Sequence, residues 1–291
     1  MLEIKYPLVS VVIPCYNHEQ FIKDSIQSVI NQTYENIELI VIDDGSQDNS
    51  IMKIQEMIDS CEQRFKRFEF RSRPNIGLSS TLNEGLEWCH GKYFSPMASD
   101  DQMFNYKTTI QVEFLENNKD YAAVFGGVQL IDENNNKLEK LVNTARGYSF
   151  EDIIMHEHCL FAPSQMIRKE NIQKVGGYKP NIFIEDWYML LLLSKEANIF
   201  NMNEVLALYR QHHGNSCKDF SKMHPGRFEV LSFFSDSELY AKAVNNALWL
   251  NAYENLINKK NNRISNISKL FFLKPKKSSK ILIKKIFKGF L

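Results

Sequence analysis

No stretch of this chain approaches the roughly 18 consecutive apolar residues that a membrane-spanning helix needs. The amino terminus does not read as a secretory leader, because Glu3 comes early and the apolar run at 8–13 is short. No Cys-x-x-Cys pair occurs. The cysteines at 15, 61, 89, 159 and 217 are scattered and odd in number. That argues against a disulfide framework or a zinc site and predicts free thiols in a reducing compartment. Gly-x-Gly-x-x-Gly is missing after the first apolar run, so a dinucleotide fingerprint is not supported. Internal repeats and low-complexity tracts are absent as well. Finally, residues 261–291 carry nine Lys/Arg and no acid.

The 291 residues are 44% hydrophobic, enough to build one large domain or two smaller ones. Their zero net charge hides an asymmetry: the first 260 residues hold 26 basic and 35 acidic side chains. An acidic body with a basic tail predicts a separate partner for the tail.

The first hundred residues alternate in the βαβ manner. Strands are expected at 9–13, 37–42, 68–71 and 92–97. Helices are expected between them: Phe21, Ile22, Ser25, Ile26, Val29 and Ile30 recur at helical spacing, Ile51, Ile54, Met57, Ile58 and Cys61 share one face, and Leu78, Leu82, Leu86 and Cys89 another. This order predicts an α/β fold, Rossmann-like, with a mixed and mainly parallel sheet flanked by helices. Beyond residue 120 come a long strand or strand pair at 121–132, a turn at 133–137, a strand at 164–168, a break at Gly176-Gly177, an apolar helix from Tyr188, a strand at 205–210 and a mainly helical extension from about 220 to 257. A mobile acceptor loop is expected near 133–150.

Carboxylate pairs stand where two of these strands end. In an open parallel sheet, ligands bind beyond the carboxyl ends of the strands. Asp43-Asp44-Gly45-Ser46 follows the strand at 37–42, where the glycine permits close backbone approach and Asp44 can accept from a base N–H or a ribose hydroxyl. The same residues also suit a strand-end turn, with Asp48 or Ser50 capping the next helix. Ser99-Asp100-Asp101 follows the strand at 92–97. A cation bridging a diphosphate needs only one or two protein carboxylates, although this pair would equally cap the helix beginning near Tyr106. Glu185-Asp186 precedes an apolar helix, as an N-cap or as a base for an acceptor hydroxyl. His212 and His213 follow the strand at 205–210 and offer a metal ligand or a phosphate contact.

Taken together, residues 9–17 (VSVVIPCYN), 43–50 (DDGSQDNS), 75–85 (NIGLSSTLNEG), 98–101 (ASDD), 185–186 (ED) and 209–216 (YRQHHGNS) resemble the family 2 glycosyltransferases of the GT-A fold, in family order across roughly residues 8–216. The resemblance implies a nucleotide site at Pro14, Tyr16, Asn17, Asp43, Asp44, Asn75, Asn83 and Ser99, with Tyr16 stacking on the base and Asp44 reading its edge. It implies Asp100 as a ligand of Mn²⁺ or Mg²⁺, helped by Asp101 or His212. It implies Asp186 as general base, with Glu185 supporting it or binding acceptor. The donor expected is a nucleotide sugar, UDP-linked, and the acceptor a glycan, attacked with inversion. Ala98 stands where the family carries the first acid of its Asp-x-Asp motif, and Leu82 where many members carry Arg. The Gln-x-x-Arg-Trp motif of processive members is absent: residues 165–169 (QMIRK) lack the Trp and precede the Glu-Asp pair, so one sugar per encounter is expected. Two alternatives stay open. Nucleotidyltransferases share the architecture but carry a Gly-rich basic loop where this chain has Pro14-Cys15-Tyr16-Asn17-His18. A non-catalytic nucleotide-sugar-binding module or partner subunit would tolerate loss of Asp186.

The domains expected are a catalytic unit at 1–217 (nucleotide half about 1–105, acceptor half about 106–217), a helical extension at 218–262 and a basic tail at 263–291. In the tail, Leu282, Ile283, Ile286, Phe287, Phe290 and Leu291 share one helical face and Lys280, Lys284, Lys285 and Lys288 the other. That pattern fits an in-plane helix on an anionic membrane, peripheral on the cytoplasmic face, or a helix packed on the body with solvated lysines. It points to a lipid-linked glycan acceptor of surface-polysaccharide type. No nucleic-acid partner is expected of an acidic body, and oligomeric state is left open.

Overall fold

A computed structural model describes residues 6–257 and 263–274. The elements run β1 (Val9–Cys15), α1 (Ile22–Ile30), β2 (Ile37–Asp43), α2 (Ser50–Gln55), α3 (Ile58–Arg64), β3 (Phe68–Ser72), α4 (Leu78–Trp88), β4 (Tyr93–Pro96), β5 (Gln102–Met103) and α5 (Lys107–Asn117). They continue with β6 (Tyr121–Ile131), β7 (Lys137–Leu141), β8 (Arg146–Tyr148), α6 (Phe150–Ile154), β9 (Met166–Arg168), α7 (Lys169–Lys174), α8 (Glu185–Glu196), β10 (Asn198–Arg210), α9 (Phe220–Ser232), α10 (Tyr240–Ile257) and α11 (Arg263–Leu273).

Ten strands form one sheet in the order β3-β2-β1-β4-β9-β6-β10-β5, with β7 beside β6 and β8 beside β10. The β3-β2-β1-β4 half and the β6-β10 pair are parallel. β9 joins β4 to β6 in antiparallel pairing, and β5, β7 and β8 are also antiparallel. This is the mixed, mainly parallel sheet the sequence predicts, flanked by helices and followed by a helical region. β1 and β2 read as near-continuous apolar runs because helices cover both their faces, and their residues are buried throughout apart from Pro14, which is half-buried.

The chain leaves β1 toward β2 and β3 on one side and returns to β4 on the other, so the strand order switches between β1 and β4. Such a switch opens a crevice at the carboxyl ends of the strands. Helix α4 is seated directly over β1: a Cβ on Gly85 would lie 2.4 Å from the Val12 side chain, so only glycine allows this approach. Beneath the crevice, buried Glu38 accepts from Ser10 Oγ (2.5 Å), Arg67 Nη1 (2.6 Å) and the Gly91 N–H (3.0 Å), tying β1, β2 and the turn before β4 together.

Three local expectations differ. The helix expected over 51–61 is two helices, because the Met57 N–H turns back to Ile54 and interrupts the i→i−4 ladder, while Ile54, Met57 and Cys61 stay buried together. The segment expected as a mobile loop at 133–150 holds strands β7 and β8, whose polar residues lie exposed. β10 starts at Asn198, well before the expected 205, since β6 and β8 pair with its polar first half.

The described residues divide into two compact units, one of residues 6–153 and 158–218 and one of 154–157, 219–257 and 263–274. The second unit has its own apolar cluster of Trp249, Ala252, Leu256 and Leu270. Its Arg227 is buried and donates to Glu254 at 2.6 and 2.7 Å. No helix of the described residues is long and apolar enough to cross a membrane. The basic amphipathic segment at 280–291 lies outside the described residues.

Candidate functional site

The loops after β1, β2 and β4 meet at the crevice. Cys15 pairs with Asp43 in the β1–β2 register, and the Asp44 N–H donates to the Cys15 carbonyl at 2.8 Å. The loop after β1 is laced to the loop after β2: Asn17 N–H donates to Ser46 Oγ (2.9 Å), Gln47 N–H to Asn17 Oδ1 (2.8 Å) and Glu19 N–H to Asp48 (3.0 Å). Asn17 sits at φ 54, a left-handed conformation that Asn tolerates better than most residues. Its side chain therefore shapes the loop, while Tyr16 beside it is 47% exposed and available to a planar ligand. Pro14 is the half-buried β1 residue paired with Ile42.

Asp43 and Asp44 are both buried. Asp43 Oδ1 accepts from the Gly45 N–H (3.2 Å) and Ser46 N–H (3.0 Å), a turn-forming role, whereas its buried Oδ2 has no partner. Asp44 accepts from the backbone N–H groups of Ile76 (2.8 Å) and Gly77 (3.0 Å) and pairs with Arg73, which is itself held by Glu84 (2.8 Å) and Thr81 (2.9 Å). Asn75 Oδ1 accepts from the Gly77 N–H at 3.1 Å. The result is a fixed carboxylate at the end of β2 that accepts from each of its partners.

Past β4, the Met97 N–H donates to the Val12 carbonyl (3.0 Å), which carries the Ala98-Ser99-Asp100-Asp101 turn to the end of β1. Ser99 Oγ lies 2.7 Å from His18 Nδ1, and Asp100 Oδ2 lies 2.8 Å from His212 Nε2. The ligand atoms of His18, Asp100 and His212 all lie within 4.8 Å of one another, a cluster that could hold a metal ion. Burial would raise Asp100, but the bond from His212 and the charges of both histidines hold it below the ordinary carboxylate range. Burial lowers His18, with only partial opposition from Asp100. A lowered carboxyl and a lowered imidazole both shift toward the deprotonated forms that metal binding requires.

Asp101 lies outside this cluster. It is buried, and its Oδ1 accepts from the Arg210 N–H at 2.9 Å. Burial and the charge of Asp100 raise it well above the ordinary range. Arg210, fully buried, braces the turn: Nε donates to the Asp100 carbonyl (2.8 Å) and Nη1 to the Asp132 carbonyl (3.0 Å), with Asp24 at 3.3 Å and the Phe21 ring 4.6 Å away. His18 and Arg210 are the residues that sequence reasoning passed over. The signal for Arg210 was a lone cation at the end of an apolar strand. For His18 no local signal existed, because only the β1–β4 pairing brings it to Asp100.

Glu185 and Asp186 open helix α8, where Asp186 Oδ1 accepts from the Trp187 N–H at 2.6 Å. Asp186 is reachable by solvent and Glu185 half-buried. Protein packed closely around both carboxyls raises each, and for Glu185 the charge of Asp186 adds to the effect. Asn83 bonds to the backbone of Tyr178 and is not aimed at the crevice loops.

Comparison with known proteins places this arrangement. The family described as "Glycosyl transferase family 2" matches residues 10–176. The chain is 28% identical over 255 residues to an uncharacterised glycosyltransferase of Methanocaldococcus jannaschii, covering 86% of this chain and 82% of that one. Some other curated relatives are far longer, and the chain spans only 22% of their length. Among solved structures, the mannosyltransferase PcManGT from Pyrobaculum calidifontis, in complex with GDP-Man and Mn²⁺, superposes with a TM-score of 0.67 at 11% identity, covering 99% of this chain and 82% of that one. S. aureus TarS 1–349 in complex with UDP-GlcNAc gives 0.66 at 14% identity, covering 93% and 82%.

Proposed function

This chain belongs to glycosyl transferase family 2, and from that premise we propose that it moves one hexose or N-acetylhexosamine, with inversion, from a UDP-linked sugar to a hydroxyl of a glycan acceptor. The observation that carries the reading is the joint placement, at one sheet crevice, of an acceptor-only carboxylate and a His–Asp–His cluster.

Asp44 presents oxygens that can only accept, which suits the N3–H of uracil. Thymine and guanine also offer a ring N–H, so the carboxylate admits three bases, and cytosine is disfavoured because its N3 is itself an acceptor. Tyr16 supplies an exposed ring against the base. His18, Asp100 and His212 would hold a divalent cation, and two imidazoles with one carboxylate favour Mn²⁺ over Mg²⁺, whose preference is for oxygen ligands. When bound, such an ion stabilises charge on the departing nucleoside diphosphate. Arg210 keeps the Asp100 turn in place. Asp186 accepts the proton of the attacking hydroxyl, and its raised affinity for protons makes it a stronger base once ionised. Glu185 sustains that raised state or contacts acceptor.

The acceptor we favour is a polyprenyl-diphosphate-linked saccharide of a surface polysaccharide, presented at the cytoplasmic face of a membrane. Support for this comes from the basic amphipathic pattern at 280–291, and the catalytic site is independent of it.

Nucleotide titration tests the donor site. UDP should raise the melting temperature only with a divalent metal present, and more with Mn²⁺ than with Mg²⁺, while CDP should do little. His18→Ala should weaken the Mn²⁺-dependent affinity at least about tenfold and erase the preference for Mn²⁺. No shift with UDP, GDP or TDP at any metal concentration would overturn the reading.

A further inference from the structure

Asn83 is committed to one residue of a distant loop. Its Nδ2 donates to the Tyr178 carbonyl and its Oδ1 accepts from the Tyr178 N–H, both at 2.7 Å. A primary amide has the spacing of a peptide unit, so this side chain pairs with Tyr178 as a neighbouring strand would. The residue before the pair is Gly177, at φ 80, where a Cβ would stand 2.8 Å from Asn83 Oδ1. Glycine is required there for the backbone conformation and for the contact.

Tyr178 leads directly to the carboxylates. Its ring is buried, 6.4 Å from the Phe94 ring of β4. Its phenol is raised chiefly by burial and then by the charges of Glu185 and Asp186, which places both carboxyls within electrostatic reach of it. Pinning Tyr178 therefore fixes one end of the short segment, 179–184, that delivers Glu185 and Asp186 to the start of α8.

Other residues of α4 support Asp44. The Gly77 N–H at its head donates to Asp44, and Thr81 and Glu84 hold the Arg73 that pairs with Asp44. One 11-residue helix thus carries the support of the base-reading carboxylate at residues 77, 81 and 84 and the latch of the Glu-Asp loop at residue 83. Gly85 seats this helix directly on β1.

We propose that Asn83 is a positioning residue: it sets the Glu185-Asp186 loop by latching Tyr178 to α4, the helix whose other residues support Asp44. This replaces the nucleotide contact that sequence resemblance implies for Asn83, and it rests on the reading of Asp186 as the base.

The test uses the full chain and two readouts. Hydrogen exchange at residues 176–184 should speed up at least tenfold in Asn83→Ala. Turnover of UDP-glucose or UDP-N-acetylglucosamine, followed as UDP release, should fall ten- to a hundredfold in kcat while UDP affinity stays within twofold. Asn83→Asp, which keeps the acceptor for the Tyr178 N–H, should lie between Ala and the parent, and it serves if the Ala variant misfolds. Gly177→Ala should reproduce the loss, and the double variant should be no worse than Gly177→Ala alone. Unchanged exchange at 176–184, or a fall in UDP affinity with kcat retained, would overturn the proposal. Full turnover in Asp186→Asn would instead overturn the base assignment while leaving the exchange result standing, so the two failures are separable.

Discussion

Asp186→Asn lowers kcat by about a thousandfold while nucleotide-sugar affinity stays within about twofold: this is the expected result with the largest effect, in the range for loss of a positioned general base. The amide keeps the shape of the carboxyl and can still accept from the Trp187 N–H at the head of α8, so the change removes basicity and little else. The pH dependence follows from the same environment. A carboxyl raised by burial acts as base only when ionised, so turnover should climb with pH above the ordinary carboxylate range. The Glu185–Asp186 pair is raised from 4.5 toward about 8 at Glu185. The linked stability has a definite sign. A carboxyl whose folded value lies above its unfolded value gives up protons more readily on unfolding, so the pair costs the fold stability as pH rises through that window. The Asn variant should consequently be at least as heat-stable as the parent near pH 8. A flat pH profile from about pH 5 upward, or full turnover in the variant, would contradict the base assignment.

The second large effect is at Asp100. Asp100→Asn should cut metal-dependent nucleotide affinity about a hundredfold and kcat/KM by about a thousandfold, equivalent to roughly 4 kcal/mol, because it removes the anionic member of the His18–Asp100–His212 cluster. Its neighbour supplies the contrast. Asp101 is turned to the Arg210 N–H and fully enclosed, so Asp101→Ala should lower stability by about 1–3 kcal/mol through an unsatisfied buried donor. The intrinsic metal affinity of the folded fraction should be kept. Titration of each variant with Mn²⁺, followed by nucleotide, separates the roles. Equal loss of metal affinity in both would mean that both carboxylates are ligands.

That contrast shows where sequence reasoning reaches its limit. Acid pairs after apolar runs were visible, and the strand-end rule brought them to one crevice. The resemblance set Asp100 ahead of Asp101 as the metal ligand, but what turns Asp101 to the protein interior was not visible, since it is Arg210, 109 residues further along the chain. His18 had no local signal, because the contact with Asp100 is made by strand pairing. The polar strands β7 and β8 and the first half of β10 were hidden for a related reason: their burial pattern is imposed by β6 and by one another, not by alternation within each segment. The break between α2 and α3 left the apolar face continuous, so periodicity alone could not find it. Asn83 fell within a family motif and so was taken for a donor contact, whereas its partner lies in the loop before Glu185.

Inverting transfer from a nucleotide sugar is read from the anomer that the protein releases. The full chain should be incubated with an α-linked UDP-sugar and Mn²⁺, and the released sugar followed by proton NMR before it mutarotates. With water standing in for the acceptor hydroxyl, UDP release should depend on metal and the β-anomer of the free sugar should appear first, as expected when a base-activated oxygen attacks opposite the leaving diphosphate. Release of the α-anomer first, or no release from any nucleotide sugar in the presence of metal, would contradict it.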